Sequence, residues 1–136
     1  MFEYHGWVTV QSSAGDEDEA AADDAVRRVE GELGALASLP GLVDIRTVNG
    51  MTQVQLAGFT NHRGGQGETV VEVFRRIGLV AAGSYGLLYV RDDEDPHGRG
   101  NEFQVRVMRR GAISDASDQF LSPCIPEIED LESPAR

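Results

Sequence analysis

The sequence predicts an α+β fold, an antiparallel sheet of about five strands with two helices on one face, in the split β-α-β-like order β-α-β-β-α-β-β. Three observations predict it. Two windows carry apolar residues at helical spacing, Asn49-Gly50 stands between two alternating runs, and Gly83 to Val90 reads as a strand apolar on both faces. At 136 residues the chain suits one domain, able to bury a core without metal or disulfide support. That domain is placed at residues 1–126, with 127–136 as an acidic, frayed tail.

Phe2 to Val10 alternates with aromatic and β-branched residues and forms the first strand. Gly6 inside it suggests a bulge or a close backbone approach that sets the face of Trp7. From Asp16 the pattern turns helical: Ala22, Val26, Val29, Leu33 and Leu36 form one stripe, and Asp16 and Glu19 stand at capping-box distance. Asp23 and Asp24 can pair with Arg27 and Arg28 one turn on. Gly31 and Gly34 weaken the last turns, so close packing is expected there, and Leu39-Pro40-Gly41 ends the helix.

Asn49-Gly50 predicts a two-residue type I′ hairpin, which fixes the register by counting. Val48 then faces Met51. Thr47 faces Thr52, Ile45 faces Val54 and Val43 faces Leu56 on the buried side, while Arg46 meets Gln53 and Asp44 meets Gln55 on the wet side. Residues 60–67 carry three glycines and no periodicity, a flexible loop. A second helix begins near Glu68 with Val70, Val73, Phe74 and Ile77 on one face and Gly78 at a left-handed terminus.

The next strand places Tyr85, Leu87 and Tyr89 on one face and Leu88 and Val90 on the other, then runs into Asp92-Asp93-Glu94-Asp95. Four like charges in a row repel one another and offer the fold nothing, so a cation, metal or basic partner would use them, while a solvated turn is the plainer reading of a lone charge run. A loop follows, then a last strand in which Phe103, Val105 and Val107 alternate with Gln104 and Arg106 and which lies beside the preceding one. Ile113 to Arg136, with three prolines, reads as an extended segment wrapping the domain.

Charge narrows the function. Twelve arginines, no lysine and twenty-three acids give a net charge of −11, a surface that disfavours direct contact with nucleic acid or anionic lipid. Fourteen of the acids fall in three windows, at 16–24, 92–95 and 127–132, while arginines pair at Arg27-Arg28, Arg75-Arg76 and Arg109-Arg110. Distinct patches, and with them a directed partner, are expected. Cys124 is the single cysteine, placed between prolines as a buried inert thiol, and no apolar run suggests a signal or membrane segment, which points to the cytoplasm.

No catalytic constellation stands out. His5, His62 and His97 make no metal-binding spacing, and Asp92–Asp95 lacks the alternating ligands and turn glycine of a calcium loop, so neither metal nor cofactor is expected. Ser84 is not in a G-x-S-x-G elbow, and Gly64-Gly65-Gln66-Gly67 lacks the lysine of a P-loop.

His5-Gly6-Trp7, Asn49-Gly50, Asn61-His62-Arg63, the run from Gly83 to Tyr89 with the acids after it, and Leu121-Ser122-Pro123-Cys124-Ile125-Pro126 together resemble immunity protein family seven of bacterial polymorphic toxin systems. The resemblance spans nearly the whole chain. It implies an α+β protein that binds a cognate secreted toxin, often a nuclease, and so protects the producer. Carried onto this chain, it implies a partner-binding surface of Trp7, His62, Arg63, Tyr85, Asp92, Asp93, Glu94 and Asp95, with Pro123 to Pro126 fixing the tail. For Trp7 and Tyr85 core packing is the competing reading, and the acidic start of the first helix competes with Asp92–Asp95 as the partner-specific element. The alternative function is a small-molecule-binding regulatory domain, with Trp7, Tyr85 and Tyr89 lining a pocket and His62 and Arg63 holding an anion.

Overall fold

A computed structural model describes residues 1–13, 15 and 18–125. The chain folds as β1 (Phe2–Val10), α1 (Glu19–Leu33), β2 (Gly41–Val48), β3 (Met51–Thr60), α2 (Glu68–Val80), β4 (Tyr85–Asp92), β5 (Gln104–Arg109) and β6 (Ala112–Ser117). All pairings are antiparallel, and the sheet order is β2-β3-β1-β4-β5-β6. The expected class holds, with one strand more than expected and β5 beside β4 as expected. The acidic tail 127–136 lies outside the described residues.

Alternation decides which face is covered. Phe2, Tyr4, Val8 and Val10 of β1, Val54 and Leu56 of β3, and Leu88 and Val90 of β4 are buried on one face against Ala25, Val29, Leu33, Val70, Val73, Phe74 and Ile77 of the helices. These residues form the core. Register places the alternate set, including Glu3, His5, Trp7, Gln53, Gln55, Phe59, Tyr85, Leu87, Tyr89, Phe103, Val105 and Val107, on the other face, which carries no helix.

The β2–β3 hairpin has the register counted from its turn, with Val48 opposite Met51 and Val43 opposite Leu56. Asn49 and Gly50 both take positive φ, 53° and 78°, as a type I′ turn demands. Gly6 makes no bulge, since β1 pairs without interruption on both sides. A β-carbon there would stand 2.8 Å from Leu88 Cδ1, so the close approach is real.

Several expectations are corrected. Asp16 lies outside the described residues, and the helix is capped by Asp18, whose carboxylate accepts from the Ala21 amide at 2.7 Å. Both nearby arginines pair with Asp24, Arg28 at 2.8 Å and Arg27 at 3.4 Å, rather than sharing it with Asp23. The buried stripe of α1 runs through Ala25 in place of Ala22, and nothing packs against Gly31 or Gly34 because both glycines face away from the sheet. Gly78 is not a terminator: α2 continues to Val80, and the bare Gly78 backbone lets the β5–β6 turn sit on the helix. Residues 63–67 form an irregular turn with Gly65 at φ 71°, its neighbour Gly67 lying against the Phe2 ring.

The sixth strand was expected to be part of a wrapping tail. Arg110 and Gly111 instead make a second two-residue turn, at φ 49° and 74°, which returns the chain antiparallel to β5. An arginine in the left-handed region hides that turn from a sequence reading, because asparagine or glycine usually occupies the position. Beyond β6 the segment 118–125 does lie along the loop before β5. Asn101 holds it, donating to the Ile125 carbonyl at 2.9 Å and accepting from the Ile125 amide at 2.8 Å.

Candidate functional site

The residues singled out from the sequence fall in two places. Trp7 and Tyr85 come together near one end of the helix-free face, their rings edge to face with centroids 6.2 Å apart. His62, Arg63 and the acids Asp92 to Asp95 gather at the opposite end, where β1 begins and β4 stops. Tyr85 and Asp92 bound β4 and stand roughly 23 Å apart along it. His62 and Arg63 therefore do not join the aromatic pair.

At the acidic corner the four carboxylates are engaged, which corrects the expectation that they offer the fold nothing. Asp92 accepts from the Glu94 amide at 3.0 Å. Asp93 takes the amino terminus of Met1, Glu94 takes His62 Nδ1 at 2.7 Å, and Asp95 accepts from the amides of His97 at 3.0 Å and Arg99 at 3.1 Å. The contacts of Asp93, Glu94 and Asp95 favour the charged carboxylate. The terminal ammonium draws Asp93 below the usual carboxylate range, His62 does the same for Glu94, and the Arg99 and His97 amides do it for Asp95. Asp93, Glu94 and Asp95 therefore stay ionised at neutral pH.

Asp92, Asp93 and Glu94 offer oxygens within 4.8 Å of one another. Asp93 and Glu94 are exposed, whereas Asp95 is turned into its own loop. The corner thus presents a compact anionic tip. Arg63 leaves it, pairing with Glu68 at 2.8 Å and standing 5.9 Å over the Phe2 ring on the helix side.

Between the two ends runs a chain of contacts that the sequence reading missed. Arg91, almost fully buried, reaches Glu3 at 3.3 Å and the Gly100 carbonyl at 3.1 Å. Glu3 also pairs with His5 at 2.7 Å, and the His5 ring meets Phe59 and Phe103 edge to face. Tyr89 then meets Phe103 the same way. Alternation in Glu3-His5-Trp7 is a signal that could have put His5 on that face, but only the β1–β4 register shows Arg91 across from Glu3.

Around Trp7 and Tyr85 lies an open groove of about 560 Å³, bordered by Gln11, Leu87, Val107, Arg109 and Arg110. Tyr85 is 42% exposed and Trp7 half-buried, so the tyrosine is available at the surface and the indole forms part of its floor. Ser84 is no nucleophile. It is fully buried and its hydroxyl accepts from the Gln11 amide at 3.1 Å, tying the end of β1 to the start of β4. Cys124 is half-buried rather than enclosed, and its thiol donates to Asn101 Oδ1 at 3.2 Å.

The acidic start of α1 lies elsewhere, on the helix side. Asp18, Glu19 and Asp23 border a second groove facing Thr47 and Gly50 of the hairpin. It shares no residue with the corner or the aromatic groove. No helix among the described residues is long and apolar enough to cross a membrane.

Comparison with curated proteins and with solved structures gives no match. The family model described as Immunity protein 7 matches residues 1–130, nearly the whole chain and both ends of the helix-free face, and the chain belongs to that family.

Proposed function

We propose that this protein, in the cytoplasm of its producer, captures the toxic domain of a cognate secreted toxin and neutralises it by covering the surface the toxin needs for its substrate. The helix-free sheet face and its acidic corner form the contact. One observation carries this reading: Leu42, Val48, Met51, Phe59 and Tyr85, the exposed large apolar residues of the strands, all have the parity of that face. Apolar surface gathered on one uncovered face marks an interaction site.

Charge supplies the nature of the partner. A net charge of −11 with an ionised tip of carboxylates attracts a basic protein, and a basic nuclease holds phosphates in the positions such carboxylates would take. Family membership supports the toxin as partner. An open groove rather than an enclosed cavity, with His62 at the far end of the face and Arg63 turned to the helix side, disfavours the small-molecule alternative.

The test uses a candidate cognate toxic domain. Asp93→Asn with Glu94→Gln should slow association several-fold at low salt, by about 3- to 10-fold, and flatten its salt dependence. Unchanged association at low salt would remove phosphate mimicry from the account. Co-expression of the wild-type protein should restore growth to cells that make the toxic domain.

A further inference from the structure

Among the described residues nearly all the arginines are spent on the chain's own acids. Arg27 and Arg28 pair with Asp24, Arg46 with Asp44, Arg63 with Glu68, Arg75 with Glu72, Arg76 with Glu32, Arg91 with Glu3, Arg99 with Asp95 and Arg106 with Asp115. Among the described residues Arg109 and Arg110 are the two without a carboxylate partner. In a protein with twenty-three acids two adjacent unpaired guanidinium groups are unusual, and both border the Trp7–Tyr85 groove.

Their position is also held firmly. Gly111 turns the chain immediately after them, its amide donating to the Ser84 carbonyl at 2.9 Å, and its backbone lies against Gly78 of α2 and Ala82. Arg109 is the last residue of β5, paired with Ala112 across the turn. The turn holds their backbone in place before binding, and the planar guanidinium matches a carboxylate through two parallel hydrogen bonds.

We propose that the groove receives an acidic segment of the toxin, a carboxylate taken by Arg109 and Arg110 beside an apolar or aromatic side chain laid against Tyr85, Leu87 and Val107. The inference rests on toxin capture as read above and adds a second point of contact opposite in charge to the acidic corner. Complementarity selects the occupant. The floor is apolar, the rim is cationic, and the acidic remainder of the protein disfavours a nucleic-acid strand there.

The sign of the electrostatics makes a sharp test. Arg109→Glu with Arg110→Glu lowers the net charge of the whole protein by four, which by itself speeds encounter with a basic toxin. The inference expects the reverse at the level of the complex: association no slower, but dissociation from the cognate toxic domain faster by about tenfold or more. Tyr85→Ala, which leaves every charge in place, should speed dissociation by about 5-fold or more. Arg75→Ala on α2 serves as the unaffected control. Thermal melts establish that each variant is folded, and Arg109→Gln with Arg110→Asn replaces the reversal should that variant unfold. Dissociation within about twofold of wild type for both the arginine and the tyrosine variants overturns the inference. Should those be unchanged while Asp93→Asn with Glu94→Gln still slows association, the groove falls and toxin capture stands. No binding by the wild-type protein removes both.

Discussion

A β-carbon at Gly111 would stand 2.5 Å from the Gly78 carbonyl oxygen, on a backbone at φ 74°. Both the space and the conformation require glycine. Gly111→Ala is therefore expected to lower stability by about 1–3 kcal/mol, measured by urea unfolding, through left-handed strain and displacement of the turn from α2. Leu88, fully buried in the space that Gly6 leaves open, is a second such position. Leu88→Ala should cost about 2–5 kcal/mol on the same measurement. The acids differ from one another for equally local reasons. Asp95 serves its loop by accepting two amides, whereas Asp93 and Glu94 remain exposed and can meet a partner.

Among the elements, the hairpin of β2 and β3 was legible to the residue, because Asn49-Gly50 fixes both the turn and the register from local sequence. The first strand and the core stripe of α2 were legible from period alone. What escaped depended on distant chain. Gly78 reads as a helix terminator until the β5–β6 turn is seen resting on it, and β6 reads as tail because Ser114, Asp115 and Ser117 carry no apolar alternation. The site was half legible for the same reason. Alternation groups Tyr85 with Leu87 and Tyr89, but only the pairing of β1 with β4 brings Trp7 beside Tyr85, separates both from Asp92 and brings Arg91 to Glu3. Similarly, the partners of Asp93 and Glu94 are the amino terminus and His62, each far away in sequence.

The segment 118–125 belongs to this scale as well. Asp118 accepts from the amides of Phe120 and Leu121, at 3.2 and 2.8 Å, and from the Ser122 hydroxyl at 3.2 Å, which draws its carboxyl below the usual range. Asp95 is lowered likewise by its two amides. A carboxyl depressed in the folded state stabilises the fold above its unfolded value, and that contribution is lost as pH falls through the folded value. Thermal stability should accordingly be level from neutral pH to about 5 and decline below about 4. Asp118→Asn should make the decline shallower, since one of the linked protons is gone.

For the whole molecule, the two layers have separate tasks. The helices close one face of the sheet, and Arg76 of α2 pairs with Glu32 of α1 to tie them together. The other face carries no helix and has residues of the segment 118–125 beside its middle at His5, Tyr89 and Phe103; it is anionic at the Asp92–Asp95 corner and cationic at Arg109-Arg110, with aromatic rings between. Such a polarity orients a partner as well as attracting it. The acidic groove at the start of α1 lies on the far layer and has no part in this account.

Hydroxyl-radical footprinting of the protein alone and with a candidate cognate toxic domain reads the two layers in one experiment. The account predicts that Tyr85, Phe59 and Met51 lose reactivity in the complex while Leu79, exposed on α2, keeps its own. Protection of Leu79 with Tyr85, Phe59 and Met51 unchanged would place the toxin on the helices and contradict the account.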